Sequence, residues 1–164
     1  MFQLFQRINI EHFSHHCKIS WNIFKNSNYD RTIMQELANT HSMRNEILSL
    51  MAQHGLENDC YLEMLDYTID LFDSQGLGTE YYGYHNINHE LEVTYVSLLA
   101  VNQKKIKFTE EDKKYLYVAA LFHDFDPQKS VDKPHEESVL KFISEDKKLR
   151  ELLVSADIDL EIIK

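Results

Sequence analysis

The stretches Y-H-N-I-N-H at residues 84–89 and L-F-H-D at residues 121–124 decide how this sequence is interpreted. The first stretch carries two histidines spaced i, i+4 at the start of a predicted helix, so both side chains project from one helix face. The His-Asp pair of the second stretch ends another predicted helix and can bring a third imidazole and a carboxylate to the same place. Neutral imidazole and carboxylate are ligands that suit zinc, iron, manganese or cobalt. We therefore predict a metal site with His89, His123 and Asp124 as its ligands.

His85, the first histidine of the pair, is predicted to have a different role. It lies one helical turn from His89, near the metal without having to coordinate it, where it can give a proton to a leaving group. Three protein ligands leave open positions for water and a substrate oxygen. A bound metal ion lowers the pKa of such a water toward about 7. The pattern thus predicts a hydrolytic metal site in which His85 can serve as a proton donor, and a capping contact at the helix start is the other role open to it.

Composition and charge limit the possible partners. A chain of 164 residues with 43% hydrophobic and 27% charged residues is expected to form one globular domain. Lys and Arg number 17 against 27 Asp and Glu, giving a net charge of −10, which disfavours a DNA or RNA duplex as the main partner. A small phosphorylated substrate remains compatible, because a bound metal ion supplies local positive charge.

The compartment is predicted to be the cytoplasm. No apolar run approaches the roughly 20 residues that cross a bilayer, and the N-terminus does not resemble a signal peptide. Cys17 and Cys60 share no C-x-x-C spacing and are expected to be buried free thiols in a reducing environment. We expect no membrane partner.

The hydrophobic pattern is helical almost throughout. Only four glycines and two prolines occur, which favours long helices over sheets. Gly55 is expected to end one helix, Thr109 to cap the start of another, and residues 156–160 to begin a late helix with Asp157 and Asp159 as caps. The predicted helices cover about 10–25, 30–54, 59–72, 86–103, 110–123, a segment from 135, and one or two short segments from 145. The prediction is an all-α bundle in which residues 1–80 pack on or complete a core of residues 81–164.

Three motifs in order carry a resemblance to a known family. Y-H-N-x-x-H, then L-F-H-D-F-D at 121–126, then P-H-E-E-S at 134–138 resemble the HD superfamily of metal-dependent phosphohydrolases. The Y-H-N-x-x-H start and the H-D-x-D run are similar to its cyclic-nucleotide phosphodiesterase branch. The resemblance covers residues from about 81 to the C-terminus. It implies an HD-domain helical bundle with a divalent metal ion (Mn, Fe, Zn, Co or Mg) as cofactor.

The resemblance also implies roles for individual residues. His85 would be the general acid rather than a ligand. His135 resembles the histidine that other HD proteins use for a second metal or for substrate phosphate, although it also fits a plain helix start after a proline. Asp126 is expected to orient a ligand or reach the site through water. Asn86 is expected to cap its helix or to hydrogen-bond to a metal ligand.

One departure from the family pattern affects the fold and the activity. The pattern closes with a further aspartate ligand on a later helix, and here only Asp157 and Asp159 are late candidates. Two explanations are open: the sequence is a fragment truncated before the last ligand, or the site is incomplete.

The leading hypothesis is a metal-dependent phosphohydrolase that cleaves a small phosphate mono- or diester, with a nucleotide as the first candidate. Metal-activated water would attack phosphorus while His85 protonates the leaving group. The alternative is a catalytically incomplete HD-type module that binds a nucleotide or a protein. A third hypothesis is a di-iron oxygenase with His135 directed to a second iron.

Overall fold

The computed structural model describes residues 40–74, 86–102, 107–123 and 136–159. These residues form six α-helices, and no strand occurs among them. In chain order the helices are α1 (Thr40–Gln53), α2 (Asp59–Ser74), α3 (Ile87–Val101), α4 (Glu110–Leu121), α5 (Glu136–Glu145) and α6 (Lys147–Ser155). The predicted all-α class is confirmed for this part of the chain. The helix predicted at 10–25 and the first ten residues of the one predicted at 30–54 lie outside it.

Helix ends follow the expected local chemistry. Gly55 adopts φ 74 just after α1, a left-handed conformation that costs glycine little. Thr109 and Asp112 form a capping box at the start of α4, each side chain accepting the other's backbone N–H. Both predicted signals are confirmed.

The prediction of a helix start at residues 156–160 is wrong for Ala156 and Asp157. Ala156 ends α6, and Asp157 takes φ 55 immediately after it. The N–H of Ile158 donates to the carbonyl of Leu153, and that of Asp157 donates to Val154. This pattern closes a helix C-terminus, a place where aspartate tolerates a left-handed backbone.

Packing sets the direction of the helices around α3, which contacts both α1 and α4. Thr40 Oγ1 donates to Asn88 Oδ1, and His54 contacts the Leu98 carbonyl, so the starts and the ends of α1 and α3 coincide. The two helices therefore run parallel. His89 at the start of α3 meets His123 just after α4, so α3 and α4 run antiparallel. This arrangement brings His89 and His123, one from each sequence motif, together.

The second group of contacts joins α2 to α6 and α5 to α6. Tyr67 Oη donates to Asp146 Oδ2, and Lys148 forms an ion pair with Glu63, so α2 and α6 are antiparallel. One hydrophobic cluster spans the described helices, with Met64, Leu91 and Tyr117 among its fully buried members. Among the described helices, none has the length and apolar character needed to span a bilayer.

Candidate metal centre

The start of α3 places His89 at the site. Asn86 has an extended backbone (φ −141, ψ 176), and its side chain accepts a hydrogen bond from the backbone N–H of His89 at 3.2 Å. Asparagine at this position satisfies a helix donor that otherwise has no partner within the helix. Capping is one of the two roles predicted for Asn86. It fixes the first turn of α3, where His89 is buried at 8% exposure.

The end of α4 delivers His123. Phe122 terminates this helix, and its backbone N–H still donates to the carbonyl of Val118. The His123 ring turns back on the helix, with Nδ1 2.9 Å from the carbonyl oxygen of Ala120. Because a carbonyl only accepts, this contact places the hydrogen on Nδ1. In a neutral imidazole the lone pair is then on Nε2.

The two histidine rings present the same nitrogen to each other. Nε2 of His89 and Nε2 of His123 are 3.1 Å apart, and the rings are 68° from parallel. Metal–imidazole bonds of about 2.0–2.1 Å put two nitrogens on one tetrahedral ion about 3.3 Å apart. The separation also suits a hydrogen bond when one of the two nitrogens carries a proton. The pair is therefore spaced either to share a proton or to bind one metal ion.

A buried carboxylate completes the described cluster. Oε2 of Glu90 lies 2.9 Å from Nδ1 of His123, and the Glu90 side chain is only 1% exposed. Taking a carboxylate out of water is costly unless positive charge or hydrogen bonds compensate it. Positive charge on His123, from a proton or from a metal ion, provides such compensation.

Motif reasoning missed Glu90, because the motif stops at His89. A signal was nevertheless present in the hydrophobic pattern. Glu90 lies three residues after Ile87 and four before Thr94, both of which are buried on α3. A glutamate on a helix stripe that packs into the core indicates a buried carboxylate with a special partner.

Glu92, two residues further along α3, is half-buried. Burial raises the pKa of the Glu92 carboxyl above its ordinary value, and the nearby His89 partly opposes this effect. The start of α3 therefore carries two carboxylates close to the histidine pair.

Four of the predicted site residues lie outside the part of the chain that the structure describes: His85, Asp124, Asp126 and His135. Within the described ranges, no group of three or more His, Cys, Asp or Glu side chains is arranged to hold a metal ion. The structure thus brings together the two predicted histidine ligands, and their ligation stays a prediction.

Asp157 and Asp159, the candidates for a further ligand, contact the first half of α4, whereas His123 follows its end. The backbone N–H of Asp159 donates to Tyr115 Oη, and the fully exposed carboxylate of Asp157 lies 3.7 Å from Lys114 Nζ. Tyr115 precedes His123 by eight residues, which is about 12 Å along a helix. This placement argues against either aspartate as the missing ligand.

Comparison with known proteins returns no matching family model, no matching curated protein and no matching solved structure.

Proposed function

We propose that this chain is a metal-dependent phosphohydrolase with an HD-type helical bundle, acting on a small phosphate mono- or diester such as a nucleotide. The observation that carries the proposal is the convergence of His89 Nε2 and His123 Nε2 at 3.1 Å. Each histidine comes from a different motif, 34 residues apart. The order of the motifs along the chain supplies the phosphohydrolase part of the proposal.

The proposed ligands, His89, His123 and Asp124, would suit a divalent transition metal ion. Imidazole nitrogens suit zinc, iron, cobalt and manganese in varying degree, and a carboxylate beside a ligating imidazole is a frequent companion of such ions. Asp124, directly after His123, would be the third ligand. A bound ion would activate water at neutral pH and neutralise charge on the phosphoryl group.

Side chains of this protein would hold the ion, donate the proton and position the ligands. His89 and His123 would hold the ion at the meeting point of α3 and α4, and His85 would donate the proton that the leaving oxygen needs. Asn86 keeps the first turn of α3 in place through its bond to His89. The net charge of −10 repels extended polyanions such as nucleic acids, so a small phosphate ester is the favoured substrate.

A second candidate function is a catalytically incomplete HD-type module that binds a nucleotide or a protein. It is favoured by the lack of a third metal ligand among the described residues. Such a module has no need to retain a metal ion, so metal content separates the two candidates.

The test is the metal content of the full chain purified without chelator, beside His89→Ala and His123→Ala. Glu46→Gln is the control, since it changes an exposed side chain of α1. We expect near-stoichiometric transition metal in the wild type and in the control, and its loss in the two site variants. Manganese-dependent hydrolysis of p-nitrophenyl phosphate or its bis ester should disappear with the metal.

Absence of a bound metal ion would contradict the proposal. A wild-type chain with no metal, and with no rise in melting temperature on adding manganese, zinc or cobalt, contradicts the phosphohydrolase proposal. An ion at 100 times its Kd should stabilise the fold by about 2.7 kcal/mol, which a thermal melt detects. The binding module then becomes the leading function.

A further inference from the structure

We infer that Glu90 is a positioning residue: its carboxylate contacts Nδ1 of His123 and strengthens Nε2 of the same ring as a metal ligand. This inference rests on the proposed function. Its carboxylate is buried against the Nδ1 side of the ring, 2.9 Å from that nitrogen. The nitrogen that would coordinate the ion, Nε2, is on the other side of the same ring and faces His89.

Two groups meet Nδ1 of His123, and they have different tasks. The Ala120 carbonyl, 2.9 Å away, accepts the Nδ1 hydrogen and so fixes the tautomer. Glu90 Oε2, at the same distance, adds a full negative charge. A neutral carbonyl cannot offset the charge of a metal ion, whereas a carboxylate in a water-poor site can. The negative charge also makes Nε2 a stronger electron donor.

The geometry separates this role from direct ligation. The two nitrogens of an imidazole lie on different sides of the ring, and Glu90 contacts the one that faces away from His89. This contact leaves Nε2 of His123 to the space it shares with Nε2 of His89. Glu90 acts on the ion through His123.

Burial explains why the charge is effective. The Glu90 side chain is 1% exposed, so water does not screen it as it screens the surface carboxylates of this acidic chain. The position on the core-facing stripe of α3 holds it there, between Ile87 and Thr94. Glu90→Gln removes the charge and keeps the shape of the side chain. It should therefore lower the affinity for a metal ion more than it lowers the free energy of unfolding.

The experiment measures cobalt(II) affinity of the full chain by visible absorption, in the wild type, Glu90→Gln, Glu90→Asp and Glu46→Gln. Glu46 is an exposed glutamate of α1 and controls for the loss of one negative charge. We expect Glu90→Gln to weaken cobalt binding by about 10- to 100-fold. Glu90→Asp keeps the charge one methylene further away and should lose less, and Glu46→Gln should stay within about twofold.

A second readout needs no metal. The proton on Nδ1 of His123 is followed by proton–nitrogen NMR in the metal-free protein, where it should move upfield in Glu90→Gln and stay unchanged in Glu46→Gln. A purely structural role would change the melting temperature and leave cobalt affinity intact.

Three results would overturn the inference, and they differ from a failure of the proposed function. These are cobalt affinity in Glu90→Gln equal to wild type, equal losses in the Gln and Asp variants, or an unmoved Nδ1 resonance. A wild-type chain that binds no cobalt overturns the proposed function itself, and the inference with it.

Discussion

His54 shows how a single buried residue can make stability depend on pH. It follows α1 at 5% exposure, and its Nε2 lies 3.0 Å from the Leu98 carbonyl, to which it donates. Burial lowers the pKa of His54 below its ordinary value; Lys113 acts in the same direction, while the Leu98 bond and Glu110 oppose it. The folded protein therefore prefers the neutral ring.

The sign of the pH effect follows from this shift. An unfolded histidine gains a proton near pH ~6.5, before the folded one does, so its contribution to stability is complete above that pH and is lost as pH falls through the folded pKa. We expect the free energy of unfolding to fall from pH ~7 to ~5, and less steeply in His54→Gln. One proton sets an upper limit of about 1.4 kcal/mol per pH unit on the difference between the two slopes. Urea unfolding at several pH values measures it, and equal slopes in both proteins would contradict this account.

At the residue scale, the sequence predicted that His89 and His123 lie close together, which the structure shows, and their role as ligands stays a prediction. The two imidazoles stood out because of their spacing within the motifs. Glu90 was missed because its role depends on which ring packs beside it, a distance of 2.9 Å across 33 positions of the chain. The contact of His54 with Leu98 has no local signal either, since it joins two helices 44 positions apart.

At the scale of helices, capping residues and glycine correctly predicted where three helices begin or end. The capping box at Thr109, the cap at Asn86 and the left-handed Gly55 each depend on side chains or backbone angles within a few residues. The error at Ala156 has the same origin. Aspartates favour both helix starts and left-handed ends, and only the preceding turns of α6 decide between the two.

Two helix caps offer a matched pair of variants. Asn86→Ala and Thr109→Ala each remove a side-chain bond to a first-turn N–H, and each should cost about 1 kcal/mol in the free energy of unfolding. Only Asn86 caps the turn that carries His89, so only Asn86→Ala should also weaken cobalt binding. Urea unfolding and cobalt titration of both variants test this. Equal cobalt affinities in the two variants would show that the cap stabilises α3 without positioning the histidine.

At the scale of the whole molecule, the all-α class of the described residues was predictable and the partners of each helix were not. Few glycines and prolines with helical periodicity predict helices. Which helices pack together depends on shape and on distant hydrogen bonds. Tyr117 Oη donates to the Tyr61 carbonyl, and Tyr61 Oη donates to the Ala156 carbonyl, which links α4, α2 and the end of α6.

This pair of tyrosines predicts cooperative unfolding of the three helices. Tyr117 is fully buried, its ring meets Tyr61 edge-on at 5.9 Å, and burial raises its pKa well above the ordinary value, so it remains a donor at any accessible pH. Tyr117→Phe keeps the ring and removes one buried hydrogen bond, which should cost about 1 kcal/mol. If the helices form one unit, amide exchange in α2, α4 and α6 should accelerate together by about fivefold in the variant. Acceleration confined to α4 would mean that the bond stabilises that helix alone, and that the link through Tyr61 does not carry the cooperativity of the fold.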